Sequence, residues 1–369
     1  MKKKLLSVLL VAVMAVSMAA CAQNADSEKT ADEGDKAAAS DGYELALITD
    51  VGTIDDKSFN QGSWEGLEEY AKEYDITHKY YKPTEKSSEA CLTAIDLAVK
   101  GGAKVIVTPG FLFEEPIYDA QTKYPDVTFL LLDGAPHQGD YNYDIKSNTS
   151  SVFYAEEQAG YLAGYAAVVE GYTQLGFMGG IAVPAVIRFG YGFIQGADQA
   201  AKDLSVTGVN VKYTYVGNFD ASPENMAKAA SWYNEGTEII FACGGGVGNS
   251  VMKAAETAGT KVIGVDVDQS AESETVITSA TKNLGKTVYD TLASYYDNTF
   301  EGGKITTLTA KEGGVQLPME NSRFTKFDQA TYDTIYAGLA DGSTKVENDT
   351  IGDDATKVPT EIVTVELIQ

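Results

Sequence analysis

The segment AKVIVTPGFLFEEPIYDAQTKYPDVTFLLLDG (residues 103–134) carries two short apolar runs on either side of one helix-length stretch. The runs VIV and FLLL show no polar alternation, which is typical of strands that are covered on both faces. Parallel strands need a crossover of about a dozen residues, and residues 114–124 supply a helix of suitable length. The segment therefore predicts a strand–helix–strand unit of a parallel sheet, whose second strand ends at Asp133.

The same alternation continues on both sides of this segment. The earlier strands are predicted at 43–49 and 77–82, and the earlier helices at 58–74 and 87–100. Ser58 and Gln61 have capping-box spacing at the start of the first of these helices. The later series has helices at 155–169, 189–201, 223–234 and 249–258, and strands at 174–178, 209–216, 238–243 and 261–266. The two series join near residues 147–152 and predict two α/β lobes of similar size, with a ligand cleft at the carboxyl ends of the strands.

Composition excludes several classes of protein. The 369 residues fit two domains of about 150 to 180 residues each. A net charge of −25 argues against a nucleic-acid-binding protein, which needs a basic face for phosphates. Three cysteines without short spacing and only two histidines argue against a zinc site and a disulfide scaffold. We therefore expect an acidic globular protein without a metal or other cofactor.

The N-terminus has the features of an export signal. Three lysines (2–4) precede the apolar run LLSVLLVAVMAVSMAA and then Cys21, an order typical of a bacterial lipoprotein signal with a lipidated cysteine. An ordinary signal peptide with a chance cysteine is the alternative. Residues 22–42 lack aromatic and branched aliphatic side chains, so they are expected to form a flexible linker. We expect a lipid anchor on Cys21 that holds the protein on the outer face of the cell membrane.

Four residues of the first lobe are candidates for the ligand site. Asp50 ends the first strand in DVGTIDDKSFNQ (50–61), where Phe59 and Asn60 begin the next helix. Free helix N–H groups beside an aromatic ring suit a polar ligand with a flat face. Asp133 ends the fourth strand at the same expected edge. A helix-capping loop, a core phenylalanine and a turn aspartate are the alternatives that need no ligand.

The chain beyond residue 150 contributes five further candidates. They are Phe189, Phe219, Gly245 within the glycine run FACGGGVGN (241–249), Asp266 and Lys282. The glycine run lacks the Gly-Lys-Ser/Thr ending of a phosphate loop, so close backbone approach to a neutral ligand is favoured over phosphate binding. The two phenylalanines could equally be core residues. A carboxylate such as Asp266 can accept hydrogen bonds from neighbouring hydroxyl groups of a ligand, with Lys282 as its partner cation.

The chain shows no obvious catalytic motif. Neither G-x-S-x-G nor H-E-x-x-H occurs, so hydrolysis would have to depend on carboxylates alone. A glycosidase-like acid pair remains open, although no single acid stands out as the protonated member. The pattern favours ligand binding over turnover.

Seven features together resemble one known family. They are the lipobox, DVGTIDDKSFNQG, FLLLDG, EEQAGYLAGYAA, RFGYGF, VIGVDVDQ and SATKN, which run in family order from Cys21 to about residue 320. The chain resembles the basic membrane protein family of substrate-binding lipoproteins, which includes purine-nucleoside receptors of ABC transporters. The resemblance implies a type 1 periplasmic-binding-protein fold: two doubly wound parallel-sheet lobes, joined by a hinge, with a ligand cleft between them.

The resemblance also implies a domain plan. It comprises a signal peptide (1–20), a linker (21–42), a first lobe (43–150 and about 281–310) and a second lobe (151–280 and about 311–369). The tail beyond Lys326 matches only loosely and is assigned no site residue.

The resemblance further implies a role for each candidate residue. Phe59 and Phe219 would sandwich a purine base, with Phe189 near the same wall. Asp50, Asn60 and Asp133 would bind the base edge. Asp266, Lys282 and a backbone N–H near Gly245 would bind the ribose.

The implied partners are a nucleoside, an ABC permease and its ATPase, and the membrane through Cys21. A sugar or flavin-like ligand and a signalling receptor of the same fold remain alternatives. A nucleoside hydrolase is the less favoured alternative, because no aspartate cluster for Ca²⁺ is visible.

Overall fold

The computed structural model describes residues 42–50 and 52–368. The predicted signal peptide, Cys21 and the linker through residue 41 lie outside these residues. The strands in chain order are β1 (Leu45–Ile48), β2 (His78–Tyr81), β3 (Val105–Pro109), β4 (Thr128–Leu132), β5 (Thr149–Tyr154), β6 (Gln174–Gly179), β7 (Asn210–Tyr215), β8 (Ile239–Cys243), β9 (Lys261–Asp266), β10 (Val276–Lys282), β11 (Lys304–Leu308), β12 (Val315–Gln316) and β13 (Thr364–Leu367). The α-helices are α1 (Phe59–Glu73), α2 (Ser88–Lys100), α3 (Glu114–Lys123), α4 (Glu156–Glu170), α5 (Pro184–Leu204), α6 (Pro223–Asn234), α7 (Gly246–Ala258), α8 (Leu284–Tyr296) and α9 (Gln329–Ala340). None of these helices is both long enough and apolar enough to cross a membrane.

The strands form two sheets, which are almost entirely parallel. The first has the order β11-β5-β4-β3-β1-β2, and the second has the order β12-β10-β9-β8-β6-β7-β13. The short strand β12 pairs antiparallel with β10. Along β4, Leu130 and Leu132 pack into one hydrophobic core while Phe129 and Leu131 pack into another. Both faces of the first sheet are therefore covered at its centre, which explains why β1, β3 and β4 are buried along their whole length.

Three crossovers connect the sheets. The chain leaves the first sheet after β5, returns after β10 and leaves again between β11 and β12. Helix α8 packs against α1, since a Cβ on Gly66 would lie 2.3 Å from the carbonyl oxygen of Gly285. The expected first boundary at residue 150 falls inside β5, which pairs with β4, so the first crossover follows Tyr154. The expected return at about 281 falls at the end of β10, next to the observed crossover.

The second lobe is organised around close packing of α4 on α5. Both helices carry glycines four residues apart, Gly160 and Gly164 on α4 and Gly192 and Gly196 on α5. A Cβ on Gly192 would lie 1.9 Å from the carbonyl oxygen of Glu157. The absence of side chains at these positions lets the two backbones touch. The motif EEQAGYLAGYAA is therefore explained largely by helix packing.

Replacing Gly192 with Ala should destabilise the protein by about 2–3 kcal/mol, because the added methyl group forces the two helices apart. The matched control is Gly248→Ala in α7, where the nearest atom to an added Cβ lies 3.8 Å away. That control should be neutral or stabilise the helix by up to about 1 kcal/mol. Urea unfolding would measure both changes, and equal stability of the two variants would contradict the close-packing argument.

Two local expectations were wrong. Ser58 and Gln61 do not form a capping box, since Asp56 accepts the backbone N–H groups of Ser58, Asn60 and Gln61 at 2.9–3.1 Å. The side chain of Ser58 instead donates to Asp266. Helix α5 begins at Pro184, five residues before the expected start, because proline suits a first helical position and the buried Val186 and Ile187 extend the apolar face.

Candidate functional site

A cleft of about 740 Å³ lies at the carboxyl ends of the strands of both sheets. Its wall contains all nine candidate residues: Asp50, Phe59, Asn60, Asp133, Phe189, Phe219, Gly245, Asp266 and Lys282. Four of them belong to the first lobe, where Phe59 and Asn60 share α1, and five to the second, where Asp266 and Lys282 end β9 and β10. Because parallel strands present their carboxyl ends at one edge, the fold brings together residues up to 232 positions apart, from Asp50 to Lys282.

The first cluster of polar side chains is centred on Asn60. Its amide nitrogen donates to Asp50 Oδ1 and to Asp56 Oδ2, both at 2.8 Å. Its amide oxygen accepts the backbone N–H of Asp50 at 3.2 Å. Both amide hydrogens are thus used inside the protein, so Asn60 holds the two carboxylates in position.

The two carboxyl groups of this cluster hold their protons more tightly than usual. Burial raises the pKa of Asp50, although hydrogen bonds from Gly52 and Asn60 oppose the change. Burial also raises the pKa of Asp56 to about 6, against hydrogen bonds from Asn60 and from the first amides of α1. Asp50 Oδ1 carries the bonds from Gly52 and Asn60, which leaves Oδ2 available to a ligand donor.

The second cluster is centred on Lys282. Its ammonium lies 2.6 Å from Asp133 Oδ2, 3.3 Å from Asp266 Oδ1 and 3.7 Å from Glu156 Oε1. Burial alone would lower the pKa of Lys282, but the three carboxylates outweigh it and raise the pKa. The ammonium also lies 4.3 Å from the centre of the Phe59 ring, within cation–π range. Asp133 therefore belongs with Asp266 and Lys282, whereas the resemblance grouped it with Asp50 and Asn60.

The two aspartates of this cluster occupy matching places in the two lobes. Asp133 directly follows β4 and Asp266 ends β9, the fourth strands of their lobes, and each has a left-handed backbone, with φ of 55° at Asp133 and 67° at Asp266. This conformation costs a non-glycine residue of order 1 kcal/mol and tends to persist at functional sites. Asp133 Oδ1 is buried and has no hydrogen-bond partner within the part of the chain that the structure describes. An unpaired acceptor at the cleft wall is a natural place for a ligand donor.

Three phenylalanines contribute to the wall of the cleft, but not equally. Phe59 and Phe219 are half-buried, so part of each ring remains open to the cleft. Phe189 is 1% exposed and packs edge-on against Phe241 at 5.8 Å between ring centres. Phe189 is thus mainly a core residue that closes the floor of the cleft, while Phe59 and Phe219 are placed to contact a flat ligand.

The glycine run beside β8 provides space for the Phe219 loop. A Cβ on Gly244 would lie 3.2 Å from the Phe219 ring, and one on Gly246 would lie 2.5 Å from the amide nitrogen of Ala221. Gly245 has φ of 51° at the start of α7 and lines the cleft. The expected close backbone approach is therefore, in large part, an approach by the protein's own loop.

Contacts across the cleft join the two lobes. Ser58 donates to Asp266 Oδ2 at 2.5 Å, and Gln269 donates to the carbonyl oxygen of Lys57 at 2.6 Å. Gln269 is fully buried and also accepts the backbone N–H of Val265. The loop before α1 is thereby tied to the loop after β9.

Several residues of the site were missed in the sequence. Asp56 lies in the quoted motif DVGTIDDKSFNQ, and an acid two residues before a helix-starting serine could have identified it as the cap. Glu156 begins the motif EEQAGYLAGYAA and Arg188 begins the motif RFGYGF, but no spacing rule connects either residue to Lys282. Cys243 ends β8 and lines the cleft, and Cys91 lies in α2; both are free and buried. Burial raises the pKa of both thiols, to about 11 for Cys91, which keeps them in the unreactive protonated form.

Two lobes of parallel sheet, joined by three crossovers around a polar and aromatic cleft, define the type 1 periplasmic-binding-protein fold. Solved structures support this class. A solute-binding protein of an ABC transporter system from Aeropyrum pernix K1 superposes with a TM-score of 0.72 at 21% identity, covering 83% of this chain and 93% of that one. A corresponding protein from Conexibacter woesei superposes with a TM-score of 0.66 at 23% identity, covering 83% and 99%.

The family follows from the sequence comparison. Residues 43–337 match the Bmp family model, described as ABC transporter substrate-binding protein PnrA-like, and the chain belongs to this family. An ABC transporter nucleoside-binding protein, BmpA, from Lactococcus lactis subsp. cremoris is 29% identical over 87% of this chain and 93% of its own length. Basic membrane protein A1 of Borrelia garinii subsp. bavariensis is 30% identical over 77% and 82%. The protein is therefore a substrate-binding protein of an ABC transporter.

Proposed function

We propose that the protein binds a nucleoside, with a purine as its base, and delivers it to the permease of an ABC importer. The observation that carries this proposal is the unpaired Asp133 oxygen in a cleft that also presents the rings of Phe59 and Phe219. A nucleoside combines a flat heteroaromatic base with a sugar that bears hydroxyl donors. Its base can stack on the phenylalanine rings, and its hydroxyl groups can donate hydrogen bonds to the Asp133 carboxylate.

The energetics favour a heteroaromatic ligand over a bare sugar. Each aromatic pair contributes about 0.5–1.5 kcal/mol beyond its buried area. Carboxylates aimed at ligand donors also give selectivity, because an analogue without those donors leaves them buried and unpaired. Asp50 is available for the base edge, and Asp133, Asp266 and Lys282 form the cluster that we assign to the ribose hydroxyls.

The charge of the cleft favours an unphosphorylated ligand. The charged side chains that line it, among the described residues, are Asp50, Asp56, Asp133 and Asp266 against Lys282. The ammonium of Lys282 is already surrounded by carboxylates. A phosphate would meet like charges in a partly buried site, which disfavours its binding strongly.

The relatives point in the same direction. The Lactococcus lactis relative has a name that describes nucleoside binding. The protein's other proposed partners are a permease with its ATPase, which would recognise the liganded form. A location outside the cytoplasm, with an anchor through a lipid on Cys21, completes the proposal.

A thermal-shift screen of the protein tests the ligand. The probes are guanosine, inosine, adenosine, guanosine 5′-monophosphate, guanine, ribose and riboflavin. A ligand at about 100 times its Kd should add about 2.7 kcal/mol of stability, which gives a clear rise in Tm. We expect a rise with at least one purine nucleoside and little or none with ribose or the monophosphate. A rise in Tm with only ribose or riboflavin would contradict the proposal that the ligand is a nucleoside, without affecting the assignment of the fold.

Replacing Phe59 with Ala should weaken binding of guanosine about 10-fold, because one stacking surface is lost and its buried area with it. The control is Phe111→Ala, since Phe111 also lines the cleft but lies in the turn after β3, away from Lys282. We expect a smaller effect there. Isothermal titration calorimetry measures the guanosine affinity of both variants. An unchanged affinity in Phe59→Ala would show that Phe59 does not contact the ligand.

A further inference from the structure

A third carboxylate approaches Lys282 from outside the cleft wall. Glu156, the first residue of α4, is 0% exposed, and its Oε1 lies 3.7 Å from the ammonium. This oxygen has no hydrogen-bond partner within residues 42–50 and 52–368. Glu156 directly follows the first crossover, and Lys282 directly precedes the second. A fully buried carboxylate without a complete set of partners is costly, so its retention needs a reason.

Arg188 of α5 is the other charged partner of Glu156. Its Nη1 lies 3.4 Å from Glu156 Oε2. Its Nε and Nη2 donate to the two carboxylate oxygens of Asp349 at 2.8 and 3.3 Å. This two-point contact fixes the plane of the guanidinium group in a way that a single contact cannot.

Asp349 belongs to a segment that lies outside the family match. The C-terminal segment, residues 338–368, follows the last matched residue, 337. It is attached to α5 on either side of Asp349: Gln195 exchanges two hydrogen bonds of 2.8 Å with the backbone of Glu347, and Tyr191 donates to the carbonyl oxygen of Gly352 at 2.8 Å. Asp349 is therefore held firmly beside Arg188.

We propose that Arg188, held by Asp349 of the C-terminal segment, positions the Lys282 ammonium in the cleft by acting on Glu156. Arg188 is a positioning residue, since it reaches the ligand site only through Glu156. The inference rests on the proposed function, because it concerns the same cleft.

The charge of Glu156 is the quantity on which Arg188 acts. Burial raises the pKa of Glu156; the charges of Asp133 and Glu157 act in the same direction, while those of Lys282 and Arg188 oppose them. Asp349 lies on the far side of Arg188. When Glu156 is ionised, it draws the ammonium away from Asp133 and Asp266 and leaves their oxygens free to accept ligand hydroxyls. Removing Arg188 raises the pKa further and lowers the ionised fraction at neutral pH.

The test compares guanosine affinity by calorimetry between about pH 6.5 and pH 9. Arg188→Met should bind about 10-fold more weakly than wild type at the lower pH, since one pKa unit corresponds to a tenfold change. The deficit should shrink to less than about 2-fold at the higher pH, where Glu156 is ionised in both proteins. Arg188→Lys should restore most of the affinity. Glu156→Gln should keep its deficit at every pH, because it cannot ionise.

The role of the C-terminal segment is tested separately with Asp349→Asn. Its affinity for guanosine at the lower pH should lie between those of the wild type and Arg188→Met. Its control is Asp353→Asn, which removes the same charge from an exposed position four residues later. If Asp349→Asn binds guanosine with the same affinity as this control, the C-terminal segment has no part in positioning Lys282. A pH-independent deficit in Arg188→Met would reduce Arg188 to a structural role and overturn the proposal.

A ligand-free measurement separates this inference from the proposed function. In ¹³C-glutamate spectra, the carboxyl signal of Glu156 is assigned by its loss in Glu156→Gln. Its titration midpoint should be higher in Arg188→Met than in wild type. An unchanged midpoint overturns the inference even if guanosine binds, whereas failure of guanosine, inosine and adenosine to bind the wild type would overturn only the proposal that the ligand is a purine nucleoside.

Discussion

Replacing Asp133 with Asn is expected to weaken guanosine binding about 100-fold. The substitution keeps the shape of the side chain but removes the charge that the Lys282 ammonium contacts at 2.6 Å. It also removes the unpaired carboxylate oxygen that we assign to a ligand hydroxyl. A hydrogen bond to a charged group contributes about 1.5–3 kcal/mol, and 1.4 kcal/mol corresponds to a factor of ten.

The control for this change is Asp140→Asn. Asp140 lies in the exposed loop after the same strand and accepts hydrogen bonds only from Asn142 among the described residues. Its replacement should leave affinity unchanged. Calorimetry on both variants, with circular dichroism to verify folding, decides the matter. Equal affinities of the two variants would show that Asp133 is a turn residue without a role in binding.

Replacing Lys282 with Met is expected to destabilise the ligand-free protein by about 3–5 kcal/mol. The change leaves Asp133, Asp266 and Glu156 buried without their shared cation, and an uncompensated buried charge is strongly destabilising. The matched control is Lys286→Met, one turn into α8. Lys286 is exposed and, within the part of the chain that the structure describes, pairs only with Asp290 four residues later, a contact that contributes less than about 1 kcal/mol.

The loss in Lys282→Met should depend on pH in a defined direction. Without the cation, Glu156 holds its proton more tightly still in the folded than in the unfolded state, because the charge of Lys282 opposes the rise in pKa that burial causes. The protonated form then favours folding, so stability is regained as the pH falls and lost as it rises. Urea unfolding at several pH values measures this slope. A loss below about 1 kcal/mol that does not vary with pH would contradict the view that Lys282 holds the three acids together.

The local patterns of the sequence determined the two sheets. Strands such as FLLLDG and KVIGVD are continuously apolar and end in an acid, and β9 was located at its observed bounds, Lys261–Asp266. Periodicity and length suffice for this, because both depend on neighbours along the chain. Five strands were not assigned. The edge strands β11 and β13 are short and largely exposed, and β12 has only two residues. The strands β5 and β10 are buried but rich in serine and threonine, so neither shows a continuous apolar run.

The candidate site residues were identified from their positions at the ends of predicted strands, not from periodicity. Strand-end positions indicated Asp50, Asp133 and Asp266 as polar groups at one edge, and the parallel topology requires such groups to meet. The sequence could not tell whether Phe189 is core or cleft, since a phenylalanine suits both places. In the structure only 1% of the surface of Phe189 is exposed, so Phe189 is mainly a core residue. The rings of Phe59 and Phe219 remain partly open to the cleft.

Only the tertiary structure decided how the charged groups are paired. Asp133 and Lys282 are 149 positions apart, and Arg188 and Asp349 are 161 positions apart, and no local rule connects such pairs. Their distances depend on how the three crossovers place one sheet against the other, and their charges depend on burial that no single segment specifies. The sequence alone therefore determined two parallel α/β lobes and the residues at their edge. The fold decided that these residues form one cleft, with Lys282 among three acids at its centre.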